Sequence, residues 1–142
     1  MRSIVLVGLQ FALLAAMAWP RVGAASPPVA FAVIAAGGLL GIWALAANRP
    51  GNFNIRPLPK IEGRLIESGP YRFVRHPMYL AVLLVALGLL IRDPVWWRGA
   101  ALLMLAFVLH LKAAIEEVAL TKLHLGYAAY RERTARFIPF LR

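Results

Sequence analysis

Four stretches of this chain, Ile4 to Trp19, Val29 to Ala47, Met78 to Ile91 and Val95 to Leu111, contain one charged residue between them, Arg98. Backbone polar groups placed in hydrocarbon must find their partners inside the segment, so runs of this kind have one ready solution, the α-helix. Composition points the same way. With 61% hydrophobic residues, 15% charged residues and a mean hydropathy of +0.71, the chain lies far from an ordinary soluble domain, which is about half apolar and a quarter charged. The pattern predicts an all-α, polytopic integral membrane protein.

The first two runs are long enough, or nearly so, to cross a hydrocarbon core that takes about 20 helical residues. Met78 to Ile91 is shorter, about 14 residues or roughly 21 Å of helix, and Val95 to Leu111 is about 17, so this pair reads as a short hairpin. Asp93-Pro94 makes its turn, and Trp96 and Trp97 suit an interfacial aromatic belt at its tip. The expected architecture is about four transmembrane helices plus a cytosolic C-terminal helix. It forms one domain over 1–142, with two N-terminal spans in 1–47 and the core in 48–142. Arg2, the first apolar run and Gly23-Ala24-Ala25-Ser26 also have the form of a cleavable signal segment, but the run is long for one, and retention is the expectation. Gly37 and Gly41 form a small-xxx-small pair suited to close helix packing. The loop from Asn48 to Arg75, rich in Pro and Gly, should be irregular and ordered by contacts.

Charge orients this arrangement. Of 16 Lys and Arg, only Arg21, Arg92 and Arg98 fall on one side of the four runs; the other side has Arg2, the loop set Arg49, Arg56, Lys60, Arg64, Arg72 and Arg75, and a C-terminal set from Lys112 to Arg142. The positive-inside rule then puts both termini and the long loop in the cytoplasm, in the simplest case at a prokaryotic inner membrane. The net charge of +10 is thereby assigned to topology and anionic lipid rather than to nucleic acid. Cysteine is absent, which excludes disulfides, thiolate metal sites and a cysteine nucleophile, and no metal site is expected.

Two clusters at the cytosolic border carry the chemistry. Gly69-Pro70-Tyr71-Arg72-Phe73-Val74-Arg75-His76-Pro77-Met78-Tyr79 leads into the third run. Pro77 suits a first helical turn, leaving the N–H groups of Met78 and Tyr79 with Arg75 to meet an anionic group. Binding of lipid phosphate by Arg72 and Arg75 is the plainer alternative. The second cluster is Glu116-Glu117, on a helical pattern that begins in the fourth run and is expected to continue through Tyr127 and Tyr130. His110 and Glu117 share one face at a spacing of seven. A carboxylate here could hold an ammonium, a ribose diol or a sulfonium; it could equally pair Glu116 with Lys112, or Glu117 with a loop arginine. Adjacent glutamates are not expected to face one partner.

Taken in order, Gly69-Pro70-Tyr71-Arg72, Arg75-His76-Pro77-Met78-Tyr79, Glu116-Glu117, Tyr127, Tyr130 and Arg136-Phe137-Ile138-Pro139 resemble the isoprenylcysteine carboxyl methyltransferase and phospholipid methyltransferase superfamily, in a small prokaryotic-type form. The resemblance covers roughly residues 48 to 142. It implies an S-adenosyl-L-methionine-dependent integral membrane methyltransferase with its cofactor pocket in 48–142. By position, His76, Tyr79, Glu116, Glu117, Tyr130 and Arg136 would contact the cofactor, and Arg75 and Glu117 would be catalytic, with Arg75 and Arg136 serving the cofactor carboxylate or an acidic acceptor. Ala81 departs from the pattern, standing where such proteins often have glycine, and the chain is shorter than eukaryotic members.

Methyl transfer from a sulfonium is an in-line displacement that needs positioning and exclusion of water more than acid catalysis. A carboxylate acceptor needs no base, whereas an amine must first lose a proton, for which His76 or a glutamate would serve. The implied partner is thus a lipid-like or prenylated small molecule in the membrane, methylated on a carboxylate oxygen or an amine nitrogen. Two rivals carry different expectations: an NADPH-dependent membrane reductase of the sterol-reductase type, with a similar His-Pro-x-Tyr segment, and a non-enzymatic membrane carrier or assembly protein.

Overall fold

The computed structural model describes residues 2–20, 23, 26–48 and 64–139. Loop residues 49–63, with Arg49, Arg56 and Lys60, lie outside the described residues, as do Arg21, Ala24, Ala25 and Arg142. Among the described residues five α-helices follow one another: α1 (Arg2–Ala18), α2 (Pro28–Ala47), α3 (Pro77–Arg92), α4 (Trp96–Leu123) and α5 (Tyr127–Arg133). A 3-10 turn, Gly69–Arg72, precedes α3. Among the described residues there is no strand, only an isolated parallel bridge between Val74 and Ala135. The all-α expectation holds.

Two helices, α2 with 20 residues and α4 with 28, are long and apolar enough to cross a membrane. The shorter α1 and α3, with 17 and 16 residues, are apolar as well. Large apolar side chains remain open on the outer surfaces: Leu39 is 67% exposed, Ile42 66%, Leu103 75% and Phe107 58%. In water a surface of this kind would aggregate; against lipid tails it costs nothing. The protein is membrane-associated.

Packing between α2 and α3 uses the missing side chains of glycine. A Cβ on Gly37 would stand 2.8 Å from the Ala81 carbonyl oxygen, and one on Gly88 would stand 2.5 Å from Ile34 Cγ1 and 2.9 Å from the Ala30 oxygen. Gly41 faces the Ala81 methyl, at 3.6 Å from its own would-be Cβ. The small-xxx-small pair therefore does close two backbones. Met17, Ala86, Leu105 and Leu109 form the central apolar cluster, joining α1, α3 and α4.

At the far end of the α3–α4 hairpin, Arg98 is buried, pairs with Asp93 at 2.6 Å and donates to the Trp19 carbonyl at 2.8 Å. A charge counted for topology is thus committed to holding the end of α1 against the hairpin turn. Trp96 is 86% exposed, as an interfacial belt residue should be, whereas Trp97 packs beneath the Arg98 guanidinium at 5.0 Å.

The fourth helix runs past its apolar stretch, as the helical pattern predicts, and continues to Leu123, carrying Lys112, Glu116 and Glu117 within it. The residues after Leu111 are mostly strong helix formers, and the Thr121 hydroxyl donates back to the Glu117 carbonyl at 2.7 Å. The helix then breaks at His124–Gly126, so Tyr127 and Tyr130 belong to a separate short helix rather than to a continuation.

Candidate functional site

The site is assembled where two distant segments run side by side. After the 3-10 turn, residues Phe73 to His76 extend along Thr134 to Arg136. The Ala135 N–H donates to the Phe73 carbonyl at 3.2 Å, the Arg75 N–H to the Ala135 carbonyl at 2.8 Å, and the His76 N–H to the Arg136 carbonyl at 3.2 Å. Gly69 permits the preceding turn with φ +59° and a close approach to Ala47 and Trp43 on α2. Pro77 opens α3 with His76 as its N-cap, as expected from the sequence. The Tyr79 N–H is not left free, however, because it bonds to the His76 carbonyl at 3.1 Å.

These segments converge on Glu117. Its Oε1 accepts from Arg75 Nε at 2.9 Å and Arg136 Nε at 3.1 Å, and lies 3.2 Å from His76 Nε2; its Oε2 accepts from Arg136 Nη2 at 2.6 Å. Two guanidinium groups and an imidazole surround one buried carboxylate. Arg75 further donates through Nη1 to the carbonyls of Arg131, at 3.0 Å, and Thr134. The alternative pairing of Glu117 with a loop arginine is thus realised.

Glu116 is placed differently. Its Oε2 accepts from the Tyr79 hydroxyl at 2.9 Å and lies 3.6 Å from His76 Nδ1, while Oε1 takes no hydrogen bond among the described residues. Its side chain keeps 30% of its surface exposed. The two adjacent glutamates do meet one partner after all: the His76 ring presents one nitrogen to each, an arrangement open to an imidazole because its two nitrogens point in different directions. The ring is stacked on Tyr79, with centroids 5.2 Å apart and planes 2° from parallel, and touches Phe137 at 5.8 Å.

Other expected residues fall around this centre. His110 and Glu117 share a face of α4, and Arg136 bridges them, its Nη1 lying 3.5 Å from either His110 nitrogen. Tyr130 is buried, and its hydroxyl donates to the Tyr71 carbonyl at 2.8 Å, joining α5 to the 3-10 turn rather than reaching the carboxylates. Tyr127 is buried beside it, its hydroxyl without a hydrogen-bond partner among the described residues. Lys112 is not part of a C-terminal basic tail and does not pair with Glu116. It is 2% exposed, donates to Gln10 on α1 at 2.5 Å, and lies over the Tyr79 ring at 5.1 Å. Sequence reading gave Gln10 no role; its signal was a lone amide in an otherwise apolar run.

Electrostatics follow the geometry. Burial, with the Glu116 charge nearby, pushes the Tyr71 hydroxyl up to about 12. Burial raises Tyr127 and Tyr130 further. Hydrogen bonding to Glu117 raises Arg136 above its ordinary value, so its charge is secure. No cluster of metal-ligating residues occurs among the described residues.

An apolar helical bundle with a buried ionic knot at one end and one carboxylate oxygen left open defines a membrane-associated helical protein with a polar cluster at the edge of its helices. The family model described as phospholipid methyltransferase matches residues 28–126, and the chain belongs to that family. The matched region contains α2, α3, α4, the Arg75 to Tyr79 segment and both glutamates, whereas Arg136 lies beyond it. Curated proteins and solved structures give no match. Membership supports enzymatic methyl transfer at a membrane.

Proposed function

We propose that the protein transfers a methyl group from S-adenosyl-L-methionine to an apolar acceptor held in the membrane. The observation that carries this reading is the division of the acidic pair: Glu117 is saturated by protein donors, while Glu116 offers an open oxygen beside His76 and Tyr79. The donor set fits the cofactor. Glu116 would take its ammonium, Arg136, with 27% of its side chain exposed, would take its carboxylate, and the rings of His76, Tyr79 and Phe137 supply faces for the adenosyl and sulfonium parts. When bound, the cofactor supplies an electrophilic methyl group on a cationic sulfur.

The chain's own residues hold and exclude. Arg75 and Glu117, expected as the catalytic pair, act in this reading as positioning residues, because Arg75 spends its Nε on Glu117 and its Nη1 on two carbonyls. Tyr130 likewise fixes the turn that carries Tyr71. A carboxylate acceptor would need only orientation and dryness, whereas an amine would need a base, and His76 turns both of its ring nitrogens toward the glutamates.

The single domain over 1–142 would place this site at the cytosolic face of an inner membrane, with both termini cytoplasmic. Removing Lys112 from the C-terminal set of charges leaves the basic excess on that side intact. Calorimetric titration of the detergent-purified protein with S-adenosylmethionine and S-adenosylhomocysteine, with NADPH as control, tests the reading. Saturable binding of the first two and not the third supports it. Binding of NADPH alone overturns it in favour of a reductase, and binding of none leaves a carrier role.

A further inference from the structure

Lys112 is the buried charge that the methyl-transfer site does not use. It lies within α4, 2% exposed, at the junction of α1, α3 and α4. Among the described residues its ammonium has one hydrogen-bond acceptor, Gln10 Oε1 at 2.5 Å, and one aromatic face, Tyr79 at 5.1 Å; no carboxylate lies within ion-pair distance. Amide and ring each compensate part of the lost hydration, but an ammonium in an apolar bundle whose nearest interacting carboxylate, Glu116, is one helical turn away rather than in contact remains costly. Two of its three N–H donors have no acceptor among the described residues. Arg75, Arg136 and Lys112 against Glu116 and Glu117 leave an excess of one positive charge without counting His76.

Position along the helix gives the charge a direction. Glu116 is four residues further on, so Lys112 lies on nearly the same face about 6 Å deeper in the apolar part of the bundle. The Tyr79 side chain spans the two, its hydroxyl on Glu116 and its ring under Lys112. A ligand group at Lys112 would therefore lie one helical turn inward from the polar site.

We infer that Lys112 is an acceptor-specificity residue that receives an anionic oxygen group, carboxylate or phosphate, carried by an apolar chain. This rests on the methyltransferase reading only in calling that ligand the acceptor; the anion preference stands on the buried ammonium alone. Gln10 and Tyr79 hold the ammonium in place between turnovers, and the entering anion supplies the missing counter-charge.

The test is calorimetric titration of the detergent-solubilised full chain with hexadecanoate, hexadecyl phosphate, the uncharged methyl ester of hexadecanoate, and inorganic phosphate, with S-adenosylmethionine affinity measured on the same preparations. Wild type should bind one or both long-chain anions at least about tenfold more tightly than the ester. Which anion binds tells carboxylate from phosphate, and binding of inorganic phosphate as tightly as the long-chain anions would overturn the requirement for an apolar chain. Lys112→Met should abolish the preference and leave cofactor affinity unchanged. Equal affinity for hexadecanoate, hexadecyl phosphate and ester in wild type overturns the inference without needing a variant to fold, and so does a preference retained in Lys112→Met. Absence of S-adenosylmethionine binding would sink the methyltransferase reading instead, while the comparison of anions with ester still decides this one.

Discussion

Replacing Glu117 by Gln should separate the two glutamates by what each one holds. Three guanidinium N–H donors and one His76 nitrogen meet the Glu117 carboxylate, three of these contacts at Oε1 and one at Oε2. An amide in its place has one acceptor oxygen. If that oxygen stays at the Oε1 position, the new NH2 faces Arg136 Nη2, donor against donor; if it flips, three partners are lost. The negative charge between two guanidinium groups disappears either way. Breaking a buried pair by removing one partner costs about 3–5 kcal/mol; with Arg136 27% exposed, about 3 kcal/mol is the expected loss. For a chain of this size that corresponds to a fall of roughly 10 °C in Tm. Glu116→Gln makes the contrast. The Tyr79 hydroxyl can still donate to the amide oxygen, and the side chain is 30% exposed, so Tm should fall by less than about 3 °C. Cofactor affinity should nevertheless drop about tenfold or more, because an ammonium loses its carboxylate. Tryptophan-fluorescence melting in detergent and calorimetric titration on the same samples measure both. Equal Tm for the two variants, or a Glu117→Gln protein as stable as wild type, would refute the claim that the ionic knot holds the site together.

Gly88→Val should open the α2–α3 seam, since its first carbon already meets Ile34 and the Ala30 carbonyl; a loss of about 2 kcal/mol is expected in the same melting assay. Stability should also fall as pH rises from 10 toward 12. The Tyr71 hydroxyl is raised to about 12 in the folded chain, so the unfolded chain gives up that proton first, and the contribution is complete below pH 10 and lost through 12. Tyr71→Phe should make that decline shallower, and an unchanged pH profile would count against a buried phenol. A C-terminal tag should be protected from external protease in sealed right-side-out vesicles, and cleavage of the tag would reverse the orientation.

The apolar runs were legible because burial in lipid imposes length and charge exclusion on each segment separately. The Pro77 helix start and the Gly37 and Gly41 contact were legible for a similar reason, each depending on local backbone chemistry. The partners of the charges on α4 were not. The helical pattern was expected to run on past Glu117, and α4 does continue to Leu123, but what Lys112, Glu116 and Glu117 meet along it was hidden. Nothing local distinguishes a charge that meets water from one that meets Gln10 or Arg75. The pairing of Phe73 to His76 with Thr134 to Arg136 was equally hidden, because it joins segments about sixty residues apart through backbone groups that every residue has.

That pairing explains why one helix must carry both the acidic pair and the buried lysine. Arg75 and Arg136 reach Glu117 from two chain segments that are themselves hydrogen-bonded together, so Glu117 fixes the register of the polar assembly against α4. Lys112 is fixed on the same helix against α1, through Gln10. A rigid helix between them holds the open oxygen of Glu116 and the ammonium of Lys112 about one turn apart, whatever the loops do. A ligand from water and a ligand from lipid could then be brought to a set separation without a soluble domain, by a single helix that crosses the boundary between their solvents.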